Sequence, residues 1–391
     1  MPLYHSSAML LGAAACISAG CTFSLGRRFS NRTFWPEVKE SKATIIQYVG
    51  ETCRYLLAAP KPADPAEDHN HNVRLAFGNG LSTEIWAQFR ERFNIPVIVE
   101  LYAQTEGHSA SWNYNTGPHG AGAIGRGGWF VRALSGRKHQ FIELDVDAEE
   151  PVRDPQTGLC RKVEIGEPGE LIWELEASDV GRNFEGYYGN KEASAKKILR
   201  DVFKKGDAWF RTGDMQRQDS DGYVYFVDRI GDTYRWKSEN VSTNEVAGTL
   251  AGFPGGGVEE INVYGIEVPN HDGRAGCAAI KLKPGLGGEA YMREFGEWAK
   301  RVMPKYKIPL FIRTMTEMEI TGTNKHVKTR LRLQGVNPEK IGLVEAEKGT
   351  DSWVGVEEER VWWFGNGVEG EGYVPFRKRD WDGIVGGKAK L

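Results

Sequence analysis

The residues of this chain best suited to chemistry lie within 209–250, where acidic and basic side chains crowd the turns on either side of one β-rich run. Arg211-Thr212-Gly213-Asp214 reads as a short polar turn after two aromatics. Tyr223-Val224-Tyr225-Phe226-Val227 reads as a strand introduced by Asp219-Ser220-Asp221-Gly222. Asp228-Arg229-Ile230-Gly231-Asp232 then leads to Arg235-Trp236-Lys237-Ser238-Glu239-Asn240. A charged surface hairpin would carry the same residues. The sharper reading is a nucleotide site, because an Asp accepts from the two ribose hydroxyls and an Arg meets phosphate with a planar fork.

The elements that must position such a site follow an α/β pattern. Residues 73–77 read as a strand with Gly78-Asn79-Gly80 as its turn; 81–93 as a helix; 96–102 as the next strand, ending in Tyr102-Ala103-Gln104-Thr105-Glu106. In open α/β sheets ligands bind beyond the carboxyl ends of strands, where both motifs sit. Upstream, 1–40 reads as an apolar helix, a short β run at 21–25 and a second helical stretch. Residues 41–50 read as a buried β segment ending in a Gly turn. Residues 107–170 read as glycine-rich loops until Ile165-Gly166-Glu167-Pro168-Gly169-Glu170-Leu171 turns into a strand. Beyond Gly231 the pattern becomes a smaller α+β unit: a capped helix at 242–250, strands at 260–268, 276–282 and 309–315, and a helix at 291–302.

Composition narrows the classes. A length of 391 residues accommodates one large core or two to three domains, and a net charge of −3 gives no reason to expect nucleic acid. Five cysteines without zinc-like spacing argue against a disulfide framework and for a reducing compartment. The apolar run at 8–25 resembles a secretory segment, but no Lys or Arg precedes it and Gly, Ser and Thr interrupt it. Asp68-His69-Asn70-His71 reads as a solvated loop rather than a metal site, because two His without further nearby ligands make a poor cage.

In order and spacing, Gly78-Asn79-Gly80, Tyr102-Ala103-Gln104-Thr105-Glu106, Arg211-Thr212-Gly213-Asp214, the run GDTYRWKSENVSTNEV and Thr321-Gly322-Thr323-Asn324-Lys325 resemble the adenylate-forming acyl-CoA synthetases, most of all the very-long-chain acyl-CoA synthetase and fatty-acid transport protein branch. The resemblance implies an α/β fold with part of a large AMP-binding domain over 1–228, a small mobile α+β domain over 229–335 and a tail over 336–391. It implies ATP, Mg2+ and CoA as co-substrates and cofactor: a fatty carboxylate attacks ATP to give acyl-AMP and pyrophosphate, and the CoA thiol then displaces AMP. Tyr102 is expected to stack on adenine or to be a buried structural Tyr, while Gly78, Asn79 and Gly80 let backbone approach the base. Glu106, with Thr105 beside it, is expected to hold magnesium. Asp214 resembles the ribose-binding aspartate and Arg229 the arginine on ribose and phosphate. Lys325 resembles the adenylation lysine, whose ammonium stabilises charge moving onto pyrophosphate, with Lys328 in support. Gly231 stands at or beside the hinge position, and Lys237 belongs to a loop expected to face the CoA thiol.

The sequence also departs from the family. The Ser/Thr/Gly-rich phosphate loop that precedes the PLYHS segment is not present, so the chain is expected to be the C-terminal part of a synthetase. Ala103 and Ser238 stand where the family commonly has Gly. Ala389-Lys390-Leu391 resembles a receptor-read peroxisomal ending, making a peroxisomal import receptor an expected partner beside fatty acid and CoA. Cytoplasmic residence or peripheral membrane association is the alternative. Two other functions stay open: a CoA ligase for a secondary-metabolite carboxylic acid, and a non-catalytic fatty-acid transport or interaction protein.

Overall fold

The computed structural model describes residues 3–107, 110–128, 138–145, 148–237, 239–271, 273–320, 326–344, 352–356, 359–368, 370–389 and 391. The chain divides into two units. Met1–Leu144 and Pro151–Val227 belong to the first, and Asp145–Glu150, Asp228–Thr321 and His326–Leu391 to the second.

The first unit opens with a π-type helix, Ser7–Ala14, that continues into Ala15–Ser18. Residues 21–25, expected as a β run, carry no strand. They are exposed, so water rather than a neighbouring strand meets their backbone polar groups. β1 (Ile45–Val49), β2 (Leu75–Asn79) and β3 (Val97–Ala103) are parallel, and β4 (Ala110–Asn115) runs antiparallel to β3 at the edge. Gly50 is the first residue of helix α1 (Gly50–Ala58), not a turn. Helix α2 (Thr83–Arg92) makes the β2-to-β3 crossover that a parallel pair requires. It buries Ile85, Trp86 and Phe89, which pack with Phe93, Ile98 and Leu56 into the core of this sheet.

Gly50 sets how closely α1 approaches the end of β2. A Cβ on Gly50 would lie 1.6 Å from the Gly80 carbonyl oxygen. Because the obstacle is backbone, Gly50→Ala is expected to cost at least about 1–3 kcal/mol and to displace the Gly80 turn. Thermal unfolding would register a lowered Tm, and an unchanged Tm would refute the close approach.

The second sheet of this unit orders β5 (Gly125–Arg126), β10 (Tyr223–Arg229), β9 (Ala208–Gln218), β7 (Pro168–Leu175) and β6 (His139–Ile142), with β8 (Ile198–Arg200) paired to β9. Two of these strands, β5 and β6, fall where the sequence suggested only glycine-rich loops. They are short and separated by turns, which hides their alternation.

In the second unit, helix α3 (Thr243–Ala251) is capped by Ser242, whose Oγ accepts from the Glu245 N–H at 3.3 Å. β11 (Val258–Glu267) and β12 (Arg274–Leu282) are antiparallel, β13 (Phe311–Thr314) runs parallel to β12, and helix α4 (Glu289–Val302) buries Met292, Phe295 and Ala299. The segment expected as a tail from residue 336 is woven into this sheet. β15 (Glu359–Trp363) pairs antiparallel with β13 and with β14 (Trp353–Val356). Trp362, Trp363 and Phe364 are buried, and Ala389 and Leu391 pack against the same core.

Candidate active site

Arg211-Thr212-Gly213-Asp214 is not a turn. It lies inside β9, at a β-bulge where the register with β7 shifts between Arg211 and Met215. Gly213 takes φ +75°, a left-handed conformation that glycine adopts without steric cost. Bulges re-aim side chains, and this one is pinned from β7. Glu170, fully buried, accepts from Arg211 Nε at 3.1 and 3.2 Å, from Arg211 Nη2 at 2.9 Å and from the Gly213 N–H at 3.1 Å. The Thr212 hydroxyl donates to the Leu171 carbonyl at 2.6 Å.

The bulge presents Asp214 as a buried carboxylate beside the end of β3. The Tyr102 hydroxyl donates to Asp214 Oδ2 at 2.7 Å, and Gln104 Nε2 donates to the same oxygen at 2.7 Å. Gln104 Nε2 also donates to the Thr212 carbonyl at 2.8 Å, and Lys197 Nζ to that carbonyl at 3.1 Å. Tyr102 and Asp214 are therefore brought together, with the Tyr102 hydroxyl engaged in orienting the aspartate. Gln104 escaped the sequence reading. Its signal was its spacing, two residues after Tyr102 along an extended segment.

Gly78 and Asn79 end β2, and Gly80 follows with φ +80°. The register sets Gly78 opposite Glu100 of β3. Two buried acceptors around these strand ends, Asn79 Oδ1 and Gln104 Oε1, receive no hydrogen bond from the protein. Unpaired buried acceptors are costly, and a ligand offering donors relieves them. A nucleoside, with an exocyclic amine and two ribose hydroxyls, is such a ligand.

Thr105 and Glu106 follow Gln104 in the bend after β3. Glu106 Oε1 accepts from the Tyr187 hydroxyl at 3.0 Å. Among the described residues no group of three His, Cys, Asp or Glu is placed to hold a metal ion. Glu106 offers a hard oxygen, and a magnesium ion there would take its other ligands from phosphate oxygens and water. In the 68–71 loop, Asp68 pairs with Arg92 at 2.9 Å, and His71 stacks on Trp35 with ring centroids 4.7 Å apart. Burial lowers the pKa of His71.

The second unit holds the remaining candidates. Arg229 ends β10, and its backbone N–H donates to Asp228 Oδ1 at 2.9 Å. Asp228, 1% exposed, also accepts from the Thr243 hydroxyl at 2.9 Å and Asn244 Nδ2 at 3.1 Å. Burial raises its pKa, and the nearby Lys328 charge pulls it back. Lys328 Nζ donates to Thr243 Oγ1 at 2.8 Å and pairs with Asp232 at 3.1 Å, and Arg332 pairs with the same aspartate at 2.7 Å. In this arrangement Lys328 braces the turn around Gly231, whose φ is +83°. Lys237 has φ +50° and its ammonium lies 5.9 Å from the Trp236 ring centroid. Lys325 and Ser238 lie outside the described residues.

The AMP-binding enzyme family matches residues 1–174. A very long-chain fatty acid transport protein of Cochliobolus heterostrophus is 41% identical over 392 residues, covering 100% of this chain and 57% of its own length. Isopenicillin N epimerase component 1 of Hapsidospora chrysogena is 40% identical over 401 residues, covering 100% of this chain and 61% of its own. The chain thus spans less than two thirds of these relatives. In fold it is similar to ATP-bound MatB from Rhodopseudomonas palustris, with a TM-score of 0.63 at 20% identity, covering 85% of this chain and 58% of that one. Residues 1–174 thus match the AMP-binding enzyme family, and the chain as a whole is similar in sequence to the fatty acid transport proteins.

Proposed function

We propose that the chain contributes the nucleotide-binding part of an ATP-dependent acyl-CoA ligase for long or very long fatty acids. The observation that carries this reading is the buried Asp214 carboxylate, oriented by Tyr102 and Gln104 beside acceptors that the protein leaves without donors. Asp214 would accept from the ribose hydroxyls, and Asn79 Oδ1 would meet an amine of the base. Gly78 and Gly80 would let backbone approach that base. Glu106, with Thr105, would hold magnesium, which supplies charge neutralisation at the phosphates. Arg229 would meet ribose and phosphate, and Lys325 with Lys328 would stabilise the charge that leaves with pyrophosphate. Lys237 would serve the later step, in which the CoA thiol displaces AMP. The name borne by the Cochliobolus relative supports a fatty acid as substrate. The name of the Hapsidospora relative keeps a secondary-metabolite acid as the second reading. Peroxisomal residence through Ala389-Lys390-Leu391 belongs to the same proposal, and requires Ala389 and Leu391 to leave the core they pack against before a receptor can read them.

The test is acyl-CoA and pyrophosphate formation by the 391-residue chain with ATP, magnesium, CoA and fatty acids of graded length. Lysine-dependent turnover is expected, with Lys325→Ala lowering pyrophosphate release by about 100-fold or more, as for loss of one preorganised charge-stabilising group. A chain length preferred over short aromatic acids would name the substrate. Folded protein that binds AMP without turnover would move the binding-protein reading ahead, and turnover indifferent to Lys325 would remove that lysine's role.

A further inference from the structure

Glu100 belongs to no part of the proposed chemistry, yet it is among the most buried charged side chains of the first unit. It sits on β3, two residues before Tyr102, and is 1% exposed. Its Oε1 accepts from the Gly80 N–H and, at 3.1 Å, from the Leu81 N–H. Its Oε2 accepts from the Tyr48 hydroxyl of β1 at 2.5 Å. One carboxyl group therefore ties the middle of β3 to the ends of β1 and β2 and grips the backbone where β2 turns away. Gly50 closes the other side of that turn. We propose that Glu100 is a positioning residue for the nucleotide: a latch that holds the turn at Gly80 and Leu81 in the shape the base requires. The nucleotide part of this inference rests on the function proposed above, whereas the latch itself does not.

The latch has a proton dependence. Burial pushes the Glu100 carboxyl up to about 8, against the opposing pull of its three hydrogen bonds. The titratable groups facing it are Tyr48 from β1 and Cys53 from α1, both themselves raised by burial and by Glu100, with Glu51 acting on Cys53. A carboxyl raised in the folded state stabilises the closed arrangement fully below its ordinary range, and that stabilisation is lost as pH rises through about 8. Opening the turn to water returns the group to its ordinary value, so alkaline pH favours the open turn.

The experiment follows the backbone amide resonances of Gly80 and Leu81 in the full chain between pH 6 and 9.5, with AMP binding measured by calorimetry over the same range. Both amides are expected to move with a midpoint near 8, and AMP affinity to weaken as pH rises toward about 8, by at most about tenfold per pH unit, the slope of one proton, and to level off above it. Glu100→Gln keeps an acceptor for both N–H groups and cannot ionise, so both profiles should become flat. Tyr48→Phe removes a bond that holds the Glu100 value down, so it should move the midpoint upward. Amides that titrate alike in wild type and Glu100→Gln overturn the latch, as does a midpoint unmoved by Tyr48→Phe. AMP affinity that keeps its pH dependence in Glu100→Gln overturns the positioning role. Titrating amides in a protein that binds no AMP at any pH would keep the latch and sink the nucleotide function.

Discussion

Arg211→Met is expected to lower the unfolding free energy by about 3–5 kcal/mol, the usual consequence of leaving one member of a buried ion pair alone. Glu170 is fully buried, and the Arg211 side chain is 12% exposed, so solvent screens little of the interaction. Without the guanidinium, the carboxylate keeps only the Gly213 N–H among these partners. Replacing both members, Arg211→Met with Glu170→Leu, should recover part of the loss, since apolar pairs of similar volume often match a buried ion pair. Recovery should be incomplete, because the Gly213 N–H then lacks its acceptor, at about 1–3 kcal/mol. Equilibrium urea unfolding of the three proteins decides the matter. A shift below about 1 kcal/mol for the single variant would mean that the pair does not hold the bulge.

Asp214→Ala is expected to weaken AMP binding by about 100-fold or more. Two hydrogen bonds from ribose to a carboxylate, each worth about 1.5–3 kcal/mol, set that lower limit at about 1.4 kcal/mol per factor of ten. Tyr102→Phe leaves the carboxylate in place and removes one of its two orienting donors. A few-fold loss is expected there, because the lost bond orients the carboxylate and does not itself touch the ribose. If Tyr102 acted only by stacking, Phe would serve equally well. Calorimetric titration with AMP separates these cases. An Asp214→Ala protein that is folded and binds AMP within threefold of wild type would remove the ribose role.

The parts of this site that could be read before the structure are those written in contiguous residues. The 102–106 motif announces itself by residue type at a strand end, Asp214 by residue type alone, and the parallel sheet by apolar runs alternating with an amphipathic helix. What could not be read depends on register across strands. Gln104 meets an aspartate 110 residues away, and Glu170 meets Arg211 across 41 residues. Neither pairing has a local signature, since either side chain alone reads as a surface charge or amide. The bulge at Gly213 was misread as a turn for the same reason: a single left-handed glycine serves both. Strand β15 was misread as tail because Trp362 and Trp363 are buried on both faces, which erases the period-two alternation that marks a half-exposed strand.

That strand also imposes an order on biosynthesis. The sheet of β1 to β4 is complete once residue 115 has emerged from the ribosome, and its pairings are between neighbours in sequence. In the second unit, β13 lies between β12 and β15, so its outer edge stays unpaired until Glu359–Trp363 has been translated. At about 5–20 residues per second, the nascent chain carries an open sheet edge for seconds after Phe311–Thr314 appears. A chaperone binding the nascent chain is therefore expected to occupy that edge until Glu359–Trp363 arrives.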